Sequence, residues 1–119
     1  MAEKRFAAVG VRIPSRILSS LDAQRRAEDH RSIAAVIEHR IARVINTTDA
    51  LELHNFPKGE QRVELSLKTA THRLLRKIAE EYHVELGDVL LSLVAADEAP
   101  KPIRIRELSK HYAAVQQAA

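Results

Sequence analysis

The side chains of this 119-residue chain that could do chemistry are mostly cations, and they are unevenly spread. Residues 1–45 carry nine Lys/Arg against five Asp/Glu, whereas residues 61–99 carry five against seven. Residues 46–60 sum to −2 and residues 100–119 to +3, leaving a net charge of +3. A basic first part beside an acidic second part suits polyanion binding concentrated in the first part and in the tail. Bond-making chemistry has no comparable support. The six histidines are scattered, with no i,i+4 pair backed by a second ligand set, so neither a metal nor another cofactor is expected. His39 and His111 read as surface residues. A glycine-rich phosphate loop, a nucleophile elbow and paired carboxylates are all missing, so an enzyme is not expected. Aromatic residues make up 3% of the chain, too few for a platform on which single-stranded bases could stack.

The elements that would position these cations come in two copies. Residues 8–45 and residues 62–96 each hold a short alternating run, a helix starter, an amphipathic helix, a polar turn and a second apolar helix. Such repetition sets the architecture before any single motif does. In the first copy Val9, Val11 and Ile13 alternate with Ala8, Gly10 and Arg12, the period of a half-buried strand. Pro14 ends the ladder and Ser15 is the expected cap of the next helix, whose apolar stripe is Ile17, Leu18 and Leu21. After the polar run 25–31, Ser32 is a good N-cap for a helix buried through Ile33, Val36, Ile37, Ile41, Val44 and Ile45. Asn46, Thr47, Thr48 and Asp49 then form a stop.

The second copy repeats this scheme with different polar residues. Val63, Leu65 and Leu67 share one strand face, Arg62, Glu64, Ser66 and Lys68 the other. Thr69 or Thr71 is the expected cap of a helix carrying Leu74, Leu75, Ile78 and Tyr82. Residues 86–96 are apolar nearly all round, through Leu86, Val89, Leu90, Leu91, Leu93 and Val94, and such a helix is usually buried. Between the copies, Pro57 and Gly59 mark a linker in which residues 50–53 suggest a helical turn. Residues 97–102 break the chain, and a short helix is expected around 106–116.

A module of roughly 40 residues buries too little apolar surface to stand alone, so the copies should share a core. The expected fold is α+β and mostly α, with a first module at 1–45, a linker at 46–61, a second module at 62–99 and a basic tail at 100–119. With no cysteine, disulfides and thiolate metal sites are excluded, which fits a reducing compartment. The basic start lacks a long apolar stretch and no apolar run approaches ~18 residues, so a cytoplasmic protein without membrane contact is expected.

A GVRIP strand end, an amphipathic helix and an His-Arg-Ser turn resemble the ribbon-helix-helix family of the Arc and MetJ repressors. The second copy matches in pattern only, because Lys68 replaces the proline and His83-Val84-Glu85 replaces the usual Gly-Arg-Ser type of turn. Two copies in one chain are similar to TraY-type relaxosome proteins of conjugative plasmids and to VirC2-type T-DNA accessory proteins. The resemblance implies an intramolecular pseudo-dimer in which strand 9–13 pairs antiparallel with strand 63–67. Such a ribbon enters the major groove and its outward side chains read base edges.

Carried over by position, the implied readers are Ala8, Gly10 and Arg12 in the first copy and Arg62, Glu64 and Ser66 in the second. Arg12 has the fork that suits guanine N7 and O6, and Glu64 could accept from a cytosine amine. Lys4 and Arg5, just ahead of the strand, complete the expected DNA-contacting set. The N-terminus of the second helix, at Arg31 and Ser32, is implied to hold a backbone phosphate on free amides. In the second copy, Glu85 and Asp88 are expected to cap the helix themselves and close that slot.

The implied function is sequence-specific binding of double-stranded DNA, as a transcriptional repressor or an accessory factor of a plasmid or other mobile element, by a pseudo-dimeric monomer able to assemble further on DNA. The alternative is a protein-interaction, assembly or antitoxin-like module, with its partner on the second module or the tail. That alternative expects an exposed apolar patch within 86–94.

Overall fold

Residues 5–95 and 103–117 are described by the computed structural model. The chain forms β1 (Phe6–Arg12), α1 (Ser15–Ala27), α2 (Ile33–Thr47), β2 (Ala50–Leu53), β3 (Arg62–Lys68), α3 (Thr69–Tyr82), α4 (Leu86–Val94), β4 (Ile103–Arg106) and α5 (Leu108–Gln117). The fold is therefore α+β and mostly helical, with two small antiparallel sheets, β1–β3 and β2–β4.

β1 and β3 pair antiparallel along their whole length, from Phe6 opposite Lys68 to Arg12 opposite Arg62. Val9 and Val11 of β1, with Leu65 and Leu67 of β3, face inward and are buried or nearly so. Period-2 alternation thus turns one face of the ribbon to the core and the other to solvent. Glu64, which lies 54 residues after Gly10 in the repeat, is also its ladder partner. The two strands are consequently related by an approximate two-fold axis through the Gly10–Glu64 pair.

The helices close over the inner face. α1 packs on α2, α3 on α4, and α2 on α4, while α2 rests on β3 and α4 on β1. Ile17, Leu21, Ile37, Ile41, Leu67, Leu74, Leu75, Ile78 and Leu90 are almost wholly buried and make one continuous core. Each such side chain stabilises the fold by roughly 1.5–3 kcal/mol through loss of apolar surface to water. Arg40 ties three helices together: it donates to Gln24 Oε1 at 2.6 Å and to the Val94 carbonyl at 2.8 Å. The second of these bonds satisfies a carbonyl at the open end of α4.

Helix boundaries differ in detail from the expected caps. Ser32 does cap α2, accepting from the Ala35 N–H at 3.1 Å. Ser15, however, is the first helical residue of α1, with Pro14 at the cap and no side-chain bond there. The Pro14 carbonyl already accepts from the Leu18 N–H at 2.9 Å, so the helix starts one residue ahead of the expected cap. At α3 neither Thr69 nor Thr71 is the cap; Lys68 holds that position. Glu38 of α2 braces this helix start instead, accepting from the Lys68 N–H and from Thr71 Oγ1, both at 2.6 Å. The turns between paired helices carry matching left-handed residues, Asp29 and His83, each at φ 55°.

The linker and tail add a second layer. Residues 50–53 form a strand rather than a helical turn, because β4 supplies a ladder partner, with Leu51 opposite Ile105. Leu51 and Leu53 are buried and β2 packs on α4. Ser92 Oγ in α4 accepts from the His54 N–H at 2.9 Å. Asp49 fastens the last helix, accepting from Ser109 N–H and, at 2.8 Å, from Ser109 Oγ. α5 packs on α3. The apolar surplus of α4 is covered within the chain, by α2, α3 and the linker strand β2: Val89, Leu90, Leu91, Leu93 and Val94 are all buried. The exposed patch expected by the docking alternative is absent from these residues.

Candidate nucleic-acid interface

The outer face of the β1–β3 ribbon gathers all six expected readers. In register they stand as Ala8 opposite Ser66, Gly10 opposite Glu64 and Arg12 opposite Arg62. Gly10 is half-buried and the other five are exposed. The same face continues one pair further, to Lys68, already expected there though not as a reader, and to Phe6, which the sequence reading omitted. The signal was present, since Phe6 has the parity of Ala8 and Lys68 that of Ser66. Arg5 is exposed and its carbonyl accepts from the Thr69 N–H at 2.9 Å, extending the ribbon by one bond. Lys4 lies outside the described residues.

The two arginines are held differently. Arg12 Nη1 donates to the Glu60 carbonyl at 3.1 Å and to the Gly59 carbonyl at 3.4 Å. The linker reaches that close only because residue 59 is glycine: a Cβ there would collide with the Ile13 carbonyl. Arg62 lies across Gly10, where a Cβ would collide with its guanidinium, and pairs with Glu64 at 3.0 Å. Both partners of that pair are about two-thirds exposed, at 65% and 63%, so the pair adds little stability and yields readily to a stronger ligand.

The helix starts beside the ribbon are unlike each other. At α2 the cap is neutral Ser32, Arg31 is exposed beside it, and the first turn has no acid. At α4 the cap is Glu85 and Asp88 stands in the first turn. The expected self-capping does not occur, as Glu85 makes no side-chain cap bond. Both carboxylates instead hold the linker. Glu85 takes Lys58 Nζ at 3.1 Å, and Asp88 takes the Phe56 N–H at 3.0 Å. An N–H donor pinned to an adjacent strand of chain competes better for Asp88 than amides of its own turn. The acidic helix start, Lys58, Arg12 and Arg62 together line a polar groove along one edge of the ribbon.

Not every cation of the first copy is available to a polyanion. Asp22 of α1 accepts from Arg25 at 2.9 Å and Arg26 at 2.7 Å. The hydrogen bond from Arg25, aided by the charge of Arg26, lowers the Asp22 pKa below its ordinary value. Among the described residues no cluster of three or more His, Cys, Asp or Glu is placed to hold a metal. No described helix is long and apolar enough to cross a membrane. Comparison with protein-family models, with curated proteins and with solved structures finds no match.

Proposed function

We propose that the chain is a ribbon-helix-helix pseudo-dimer that binds double-stranded DNA sequence-specifically, laying β1–β3 in the major groove. One observation carries this reading: the antiparallel register sets Ala8, Gly10, Arg12, Arg62, Glu64 and Ser66 on one solvent-facing surface. A two-stranded ribbon of this kind fits the major groove, and Arg12 and Arg62 bring the forked donors that pair with guanine. Ser32 and Arg31 at the start of α2 would take a flanking phosphate on free amides, favoured by the helix dipole. The biological setting follows as a repressor or a mobile-element accessory factor.

A docking role is the second reading. It is favoured by Glu64 in the centre of the ribbon and by the acids of α4, which repel phosphate. Its original motive, the apolar helix 86–94, finds its cover within the chain.

Fluorescence anisotropy of a labelled duplex from the gene's own upstream region tests the proposal. Arg12→Ala should weaken the specific complex by about 1–3 kcal/mol and relax sequence preference. Arg31→Ala and Ser32→Asp should weaken binding to every duplex and flatten its salt dependence. Unchanged affinity in all three variants discards the DNA reading.

A further inference from the structure

The two ends of the ribbon's outer face are chemically opposite. At one end Arg12 stands directly across from Arg62. Like charges facing each other across a strand pair destabilise it, so folding alone does not account for the pair. In the free chain the two guanidiniums are drawn apart, Arg12 to the Gly59 and Glu60 carbonyls and Arg62 to Glu64. Arg12 is anchored through Nη1 only; among the described residues its other nitrogens bond nothing, which leaves an edge of donors outward.

At the other end stand Phe6 and Ala8, across from Lys68 and Ser66. Phe6 is 53% exposed and is the large hydrophobic side chain left in solvent among the described residues. The apolar feature a base pair shows in the major groove is the thymine methyl, which Ala and Phe side chains contact. Phe6 and Arg12 are six residues apart on one strand, about 20 Å at ~3.3 Å per residue. That is on the order of six base steps of 3.4 Å, so the two ends meet different base pairs.

We infer that the ribbon reads its DNA with a polarity, guanine at the Arg12–Arg62 end and thymine at the Phe6–Ala8 end, so that its site is not a palindrome. The inference rests on the DNA-binding reading above and specifies the ligand of that same face. The two-fold through Gly10 and Glu64 would equate the half-sites if the readers matched. They do not: the axis carries Arg12 onto Ser66 and Ala8 onto Arg62. The helix starts depart from the two-fold in the same manner, with Ser32 at α2 matched by Glu85 at α4. Arg62 and Phe6 thereby become specificity-determining residues beside Arg12.

The test is selection of a randomised duplex library by the full chain, followed by anisotropy on the enriched site. The expected site has guanine at one end, thymine roughly six base pairs away, and no dyad. Replacing that thymine by uracil removes only the methyl and should weaken the wild type several-fold. In Phe6→Ala the penalty should shrink, with Ala8 left to meet the methyl. Arg62→Ala should lose about tenfold on the guanine-containing site while binding the guanine-to-adenine duplex as the wild type does. Since Phe6 and Arg62 are exposed, circular dichroism should report an unchanged fold. A palindromic site, or a uracil penalty equal in wild type and Phe6→Ala, overturns the polarity while leaving sequence-specific binding standing; duplex binding without enrichment overturns the polarity and the specificity together. Failure to retain any duplex at low salt would overturn both readings.

Discussion

α2 and α4 begin at corresponding points of an internal repeat, yet one start faces solvent with a serine and the other grips the linker with two acids. Ser32 spends its hydroxyl on its own helix, leaving the remaining first-turn amides and Arg31 beside them. Glu85 and Asp88 spend their charge on Lys58 and on the Phe56 amide. The repeated pattern offers two helix ends, and the chain uses one for fastening its connection. Asymmetry of this sort follows from joining the copies: a linker has to be held somewhere, and here the start of α4 holds it.

The comparison can be broken most severely at the shared core. Ile37 and Leu90 are corresponding residues of α2 and α4 and neither is exposed to solvent. Truncating either to alanine should cost about 2–5 kcal/mol. Denaturant unfolding should stay a single transition in both variants, because the copies complete one core. Two separable transitions would show that the modules stand apart.

Next in size is the linker clasp. Asp88→Ala strands the Phe56 N–H, and the expected loss is about 1–3 kcal/mol in thermal unfolding. The corresponding change in the first copy, Ser32→Glu with Ala35→Asp, should cost no more than about 1 kcal/mol, the lost Ser32 cap being partly offset by acids that complement the helix dipole. Its effect should appear in anisotropy, as duplex binding weakened by at least about tenfold. Equal stability losses in the two copies would erase the distinction drawn between them.

A smaller effect is expected at Glu38, which braces the start of α3 from α2. Glu38→Ala should cost about 1–2 kcal/mol, as for loss of a helix cap. Smallest of all is the exposed Lys58–Glu85 pair, with side chains 65% and 64% exposed. Glu85→Ala should change stability by less than about 1 kcal/mol. It should still raise low-salt affinity for duplex DNA slightly by removing a repelling charge.

Much of this arrangement was legible because it is local. Alternation in 8–13 and 62–68 marks the strands and their two faces, and Ser32 caps its own helix three residues on. What was missed is held together at long range. Glu38 holds the Lys68 amide, at the start of α3, from 30 residues away, so Thr69 and Thr71 looked like caps when they were not. β2 is four residues long and becomes a strand only because 103–106 return to pair with it. Without that partner its Ala-Leu-Glu-Leu composition favours a helical turn. The cover over α4 had the same origin, which is why its surplus of leucines suggested an open patch. At the ribbon, the parity of Phe6 and Lys68 was readable, whereas the anchoring of Arg12 on residues 59 and 60 depended on where the linker returns.

The outer face of β1–β3 as the DNA-reading surface is most directly tested by nuclear magnetic resonance titration of the isotope-labelled chain with a short duplex at low salt. The amides of Ala8, Gly10, Arg12, Arg62, Glu64 and Ser66 should shift, together with those of Arg31 and Ser32 at the start of α2. Those of β2 and α5, on the added layer, should stay in place. Shifts confined to β2 and α5, with the ribbon amides unmoved, would contradict the account.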